Sequence, residues 1–242
     1  MPEIGLYALR LGLAVAVVGI GAGAYGGIRK NPEWGAVAER SVYALFALLG
    51  VAMLALFYAL GTNDFSLDYV AKHSARSMEW RYRLGALWGG QAGSLLLWAF
   101  LLMGSGTVGV ATNRNSNRIL IPWVAVSLLI NAAFFLVLLN FLTNPFDRLP
   151  PTEVLSDGQG LNPLLQHPVM MIHPIMLYIG FTGFATPFAF AFAALITGEL
   201  GTSWFRTTRR FSLLAWLALG AGIVLGGRWA YEVLGWGGYW AW

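Results

Sequence analysis

SVYALFALLGVAMLALFYAL, residues 41–60, decides the fold class, because twenty consecutive positions carry no charge. At about 1.5 Å per helical residue such a run crosses the roughly 30 Å hydrocarbon core of a bilayer. Working outward, five further stretches meet the same standard: 4–28, 84–110, 119–141, 172–197 and 211–230. The composition agrees. Of 242 residues 57% are hydrophobic and only 11% charged, where an average globular chain carries about 25% charged residues. Mean hydropathy is +0.63. These values exclude an ordinary soluble domain and predict an all-α polytopic membrane protein of about six transmembrane helices. The first run lacks a leading basic segment, is too long for a signal peptide and is followed by Arg29 and Lys30, so it reads as a retained helix.

The chain has no cysteine, which excludes a disulfide scaffold, thiolate metal sites and a thiol relay run by this polypeptide. Any thiol chemistry must use a partner's sulfur. The net charge of +4 does not by itself point to nucleic acid. Six spans put both termini on one side and divide the loops into two sets. One set holds Arg29, Lys30, Arg40, Arg114, Arg118, Arg206, Arg209 and Arg210 against three acids, a net of +5. The other set, with the termini, has seven basic residues against eight acids, a net of −1. Eight against seven is a small difference in Lys and Arg. The concentration of the first set near helix ends places it in the cytoplasm. His73, His167 and His173, the three histidines of the chain, then all fall on the outer side.

Glycines recur at i+4 in three spans: Gly19, Gly23 and Gly27; Gly85, Gly89 and Gly93; Gly222 and Gly226. Small residues at that spacing let helices approach closely in lipid. No repeat or low-complexity linker interrupts the chain, so 1–242 reads as one membrane domain.

Three outward stretches carry polar or aromatic chemistry. In WGGQAGSLLLW, residues 88–98, Gln91 and Ser94 lie in an apolar helix and are expected to face protein, because an unsatisfied polar group in lipid costs several kcal/mol. The loop 144–173 is rich in proline yet apolar at Leu161, Leu164, Leu165, Val169, Met170 and Met171, and is expected to lie along the membrane surface. His173 precedes Pro174 and is expected near the cap of the fifth span, as polar anchor or as ligand. Met170 and Met171 read as apolar packing, although a thioether also binds iron. The last fourteen residues contain six aromatics, four of them Trp, interleaved with Gly235, Gly237 and Gly238. This density suits either a membrane anchor or a surface for a flat aromatic macrocycle.

The ordered set WGGQAGSLLLW, DGQGLNPLLQ, HPIMLYIGFTGFATPFAFAFAALITG and GGRWAYEVLGWGGYWAW resembles the N-terminal portion of CcmF-type cytochrome c biogenesis proteins, the haem lyase subunits of a superfamily that includes NrfE and CcsA. The resemblance implies that His173 is an axial ligand of haem iron. It also implies that Trp236, Gly237, Gly238, Trp240 and Trp242 begin the WWD motif laid against the macrocycle. Arg228 and Arg148, on the predicted outer side, are then candidates for the haem propionates, because guanidinium matches a carboxylate in fork geometry. The outer haem-handling segments would be 144–174 and 228–242.

The implied activity is attachment of haem through thioether bonds to the CxxCH motif of apocytochrome c at the outer face of a bacterial-type inner membrane, with haem b as substrate. The implied partners are a haem chaperone, apocytochrome c, thiol-handling assembly subunits and the C-terminal part of the lyase. The absent cysteines fit this chemistry, since the thiols belong to the substrate. In the family the motif runs on into Asp-Pro-x-Glu-Asn and further helices carrying a second external histidine and an internal haem site. This sequence stops at Trp242, which reads as one half of a split protein, an expressed piece or a truncation. Two positions depart from the family pattern: Ala92 stands where an acid is usual, and Ile175 where His-Pro-Pro is usual. A haem transporter without a ligation role is the alternative reading.

Overall fold

A computed structural model describes residues 2–153, 155–199 and 201–235. Nine α-helices are found among them: α1 Pro2–Arg29, α2 Pro32–Thr62, α3 Asp68–His73, α4 Trp80–Gly85, α5 Gln91–Asn113, α6 Ile121–Phe141, α7 Pro168–Gly183, α8 Ala185–Thr197 and α9 Ser203–Val233. The described residues form no strand, only one antiparallel bridge between Leu67 and Arg148. Six helical segments are long and apolar enough to cross a membrane, with α7 and α8 together making the fifth. The protein is an all-α polytopic membrane protein.

The sharp turn between α1 and α2 is encoded locally. Asn31 caps α2, its Oδ1 accepting from the backbone N–H of Glu33 at 2.9 Å, and Pro32 opens the helix where no N–H is needed. The two helices then pack along glycines. A Cβ on Gly19 would stand 2.6 Å from both Ser41 Cβ and Leu129 Cδ1, and one on Gly23 would meet Val126 and Ala38. Gly27 faces the Trp123 ring. The i+4 glycines of α1 therefore bring it against α2 and α6 together, as small residues do where water does not drive association. Leu45, Leu49, Leu56, Leu96, Met103, Leu128 and Leu129 fill the centre of the α2, α5 and α6 packing. The opposite faces carry exposed apolar side chains such as Leu54 at 70%, Phe134 at 60% and Leu195 at 75%, which lipid or a packed helix would cover without cost.

Two spans differ from their sequence-based bounds for identifiable reasons. The fifth span is broken at Phe184, because Pro187 has no N–H for the Gly183 carbonyl. Helical bonding resumes where Phe188 N–H donates to Phe184 O at 3.1 Å. The third span begins at Gln91 instead of residue 84. A short helix, a 3-10 turn over Ala86–Trp88 and the pair Gly89-Gly90 precede it. Gly85, Gly89 and Gly93 therefore do not form one helical stripe. They meet Met171, Leu161 and the Leu87 carbonyl respectively.

α9 packs chiefly on α7, again through glycines on both partners. A Cβ on Gly180 would lie 2.7 Å from Leu219 Cα, and one on Gly222 would lie 2.8 Å from Leu177 N. Gly180→Ala is expected to destabilise the protein by about 1–3 kcal/mol through overpacking. Gly21→Ala, with nothing within 4 Å of the added carbon, should be neutral or slightly stabilising. Thermal unfolding in detergent distinguishes the pair, and equal midpoints would show that the α7–α9 contact does not require the close approach.

Candidate functional site

The end of the bundle that carries the three histidines is assembled from two loops and the ends of α5, α7 and α9. Tyr69 of α3 is buried, and its hydroxyl donates to the Leu87 carbonyl at 2.8 Å and accepts from Gly90 N–H at 3.2 Å. It thus closes the turn that interrupts the third span. Burial pushes its hydroxyl pKa well above the ordinary tyrosine value, so it remains a donor at all working pH. The loop after α6 is strapped onto α3. Gln159 N–H donates to Ala71 O at 2.8 Å and Gly160 N–H to Ser74 O at 3.1 Å. Asp157 Oδ1 accepts from Arg76 N–H at 2.8 Å, and that bond holds its carboxyl below the usual carboxylate range.

The motif around Trp88 serves the fifth span. Pro174 lies inside α7 and cannot donate to the carbonyl of Met170, four residues earlier. The Trp88 indole Nε1–H donates to that carbonyl at 3.2 Å. An indole from one outer segment thereby satisfies the backbone group that a proline in another leaves without a helical partner. Ser94, as its polarity demands, bonds protein, its hydroxyl donating to Trp88 O at 3.1 Å. Gln91 does not face protein. It is exposed at the first position of α5, because the span starts there and its amide lies at the helix end.

The three histidines are distinguished by what their ring nitrogens bond. His167, not His173, caps α7. Its Nδ1 accepts from Val169 N–H at 3.3 Å, so Nε2 bears the proton and faces Glu232 Oε2 at 3.3 Å. Both nitrogens are engaged. His173 is placed more than a turn further along α7 than the sequence suggests, because Pro168 and not Pro174 opens the helix. It is half-buried against α9, where its Nδ1–H donates to the Gly222 carbonyl at 3.2 Å. A carbonyl only accepts, so the neutral ring keeps its lone pair on Nε2. Trp229 lies nearly parallel to the imidazole at 6.0 Å between centroids and 20°, and its indole donates to Leu164 O at 3.1 Å. Gly226 makes room for the ring, since a Cβ there would stand 2.8 Å from His173 Nδ1. His73 also has a lone pair on Nε2, because its Nδ1–H donates to Tyr69 O at 2.8 Å. That ring, however, stacks on Tyr69 and presses its Nε2 against Gly90.

The arginines separate. Arg228 Nε donates to Glu232 Oε1 at 2.8 Å, which joins Arg228, Glu232 and His167 in one cluster beside Trp229. Arg148 instead pairs with Glu3 at the start of α1. Met171 packs on Gly85. Among the described residues no three His, Asp or Glu side chains gather as a metal site. A haem would ask one neutral imidazole of the protein, and the lone pair on His173 Nε2 fits that. Trp236, Gly237, Gly238, Trp240 and Trp242 lie outside the described residues. Tyr69 and Glu232 are the contributors that residue patterns did not single out, whereas Gly222 was marked only for packing and Trp229 only as one of the C-terminal aromatics. The spacing of Arg228 and Glu232 at i+4 was the available signal.

A family model described as "Cytochrome C assembly protein" matches residues 88–242. The chain is 42% identical over its whole length to "Cytochrome c-type biogenesis protein CcmF" of Pseudomonas aeruginosa and covers 37% of that protein. It is 40% identical to the CcmF of Escherichia coli K12, again covering 37% of it. With "Probable cytochrome c-type biogenesis protein NrfE" of the same organism it shares 38% identity over 90% of this chain and 40% of the relative. The solved structure "Cytochrome c Heme Lyase CcmF" superposes with a TM-score of 0.84 at 32% identity, over all of this chain and 38% of the other. The chain therefore spans a little over a third of the length of these relatives.

Two outcomes test the architecture of the site. Trp88→Phe should cost about 1–3 kcal/mol by leaving the Met170 carbonyl unpaired. Adding Pro174→Ala, which restores a backbone donor, should recover part of that loss in a thermal double-mutant cycle, and strict additivity would refute the shared carbonyl. The strap should weaken in acid. Because the folded pKa of Asp157 is depressed, its contribution is complete above the ordinary aspartate pKa and is lost as pH falls through the lowered value. Asp157→Asn should remove that pH dependence from limited proteolysis of the 144–167 loop by an acid-active protease.

Proposed function

The chain belongs to the cytochrome c assembly family, and on that premise we propose that it forms the N-terminal part of a haem lyase that holds haem at the outer end of α7 and α9. The observation that carries the reading is the His173 imidazole, whose Nδ1–H is held by the Gly222 carbonyl so that Nε2 keeps its lone pair for iron. Haem bound there supplies vinyl groups that accept the two thiols of an apocytochrome c CxxCH motif. Everything asked of this chain is binding and orientation. Its lack of cysteine keeps competing thiols away from the vinyls.

Trp229, beside His173, presents an indole face to an apolar ligand, and the Trp-rich run from Trp236 to Trp242 would extend that surface across the macrocycle. Arg228 is held to Glu232 through Nε alone, which leaves its terminal nitrogens to meet a propionate. His167, with both nitrogens occupied, serves as the cap that sets the start of α7. In this reading the basic loops lie in the cytoplasm of a bacterial-type cell and the haem faces the outer side of the inner membrane. A haem chaperone, apocytochrome c, thiol-handling subunits and the remaining portion of the lyase are the partners.

The test is haem content, read from the absorption spectrum of protein purified with the rest of the lyase, together with cytochrome c maturation. His173→Ala should abolish outer-site haem and lower maturation at least about tenfold, the factor for losing about 1.4 kcal/mol. His167→Ala should leave the iron spectrum unchanged while lowering stability. Gly226→Ala, which forces the imidazole off Gly222, should weaken haem retention without removing the ligand. Wild-type haem and maturation in His173→Ala would overturn the ligand assignment.

A further inference from the structure

The end of the bundle opposite this site holds a cavity of about 1200 Å³ between the α1–α2 turn, the α5–α6 turn and the end of α8. Its lining combines two chemistries. Lys30, Arg114 and Arg118 supply cations, while Ile28, Ile119 and Ile196, exposed by 69%, 63% and 44%, supply an apolar wall open to the side. The carboxylates of Glu39 and Glu199 also line it. Glu39 is partly occupied, accepting from the Tyr43 hydroxyl at 2.8 Å with Arg114 at 3.9 Å. Among the described residues neither Lys30 nor Arg118 forms an ion pair. Lys30 is also strained, at φ 51°, the left-handed region where glycine is the unstrained choice. A lysine thus stands at a position whose backbone disfavours it, among the residues that line the cavity.

The geometry points to this cavity as the binding site of one anionic phospholipid, its phosphate held by Lys30, Arg114 and Arg118 and its acyl chains lying on Ile28, Ile119 and Ile196. Charge complementarity selects the class. The loops at this end carry a net charge of +5, and a basic pocket between transmembrane helices recognises an acidic headgroup while the bilayer solvates the chains. A zwitterionic lipid would bring its own cation to a rim already rich in them. The site is independent of the haem-binding reading, since it shares none of its residues.

Native mass spectrometry of the purified chain, released from nanodiscs of phosphatidylglycerol or of phosphatidylcholine, tests the assignment. Wild type should retain one phosphatidylglycerol and no phosphatidylcholine. The variant Lys30→Gly with Arg118→Gln should lose the adduct about thirtyfold, as expected for removing two cations at a membrane surface. Lys30→Gly relieves the left-handed strain, so an unchanged thermal midpoint will show that loss of lipid is not loss of fold. Equal retention of phosphatidylcholine would reduce the cavity to an apolar groove. Complete displacement by inorganic phosphate would make it a simple anion site. Full retention of lipid by the double variant would exclude the named cations, and each of these results overturns the proposal. Absence of the adduct when the remaining portion of the lyase is co-purified would assign the cavity to that polypeptide instead, and would overturn it equally.

Discussion

The close approach of α7 and α9 is the contact on which the histidine-bearing end of this protein depends. In lipid no water is released to bring helices together, so the approach rests on backbone fit, and glycines on both helices provide it. Gly180 lies against the backbone of Leu219, and Gly222 against that of Leu177. The same fit carries the Gly222 carbonyl to His173 and lets the imidazole occupy the space over Gly226. A helix pair held by leucines would stand further apart, and the ring would find neither. Packing and the orientation of the His173 ring are consequences of one spacing.

The second constraint is that a backbone carbonyl in an apolar setting must find a donor. Pro174 bends the accounting of α7 by removing one, and the indole of Trp88 supplies it from a different segment. The Tyr69 hydroxyl performs a similar service for the turn that precedes α5, where Ala86, Leu87 and Gly90 leave ordinary helical bonding. These long-range bonds tie the segment after α2, the start of α5 and the start of α7 into one cap. The same constraint explains why the histidines are not equivalent. Each ring is oriented by the backbone group nearest to it, and only the remaining nitrogen decides whether the residue is a cap or is free to bind.

The two ends of the bundle are built in contrasting ways. The histidine-bearing end is closed by hydrogen bonds between loops and by the Arg228–Glu232–His167 cluster. The other end has a short capped turn, a strained Lys30 and an open cavity with cations at its mouth.

Much of this was legible in the residues themselves. Hydropathy alone determined six spans and their approximate bounds, because the bilayer imposes length and polarity on any segment that crosses it. The i+4 glycines of α1 and α9 announced close packing. The break before α5 was not legible, since Gly89 and Gly90 are as apolar as the helix they interrupt and only the Tyr69 hydroxyl makes the turn stable. Nor could spacing tell that His167 caps α7 or that Gln91 lies exposed at the start of α5. Only the tertiary structure decided which ring nitrogen of each histidine is free, because that depends on carbonyls and carboxylates brought from up to sixty-five residues away, as Glu232 is to His167. Composition records which groups a chain owns, whereas their protons and lone pairs are assigned by neighbours that only folding supplies.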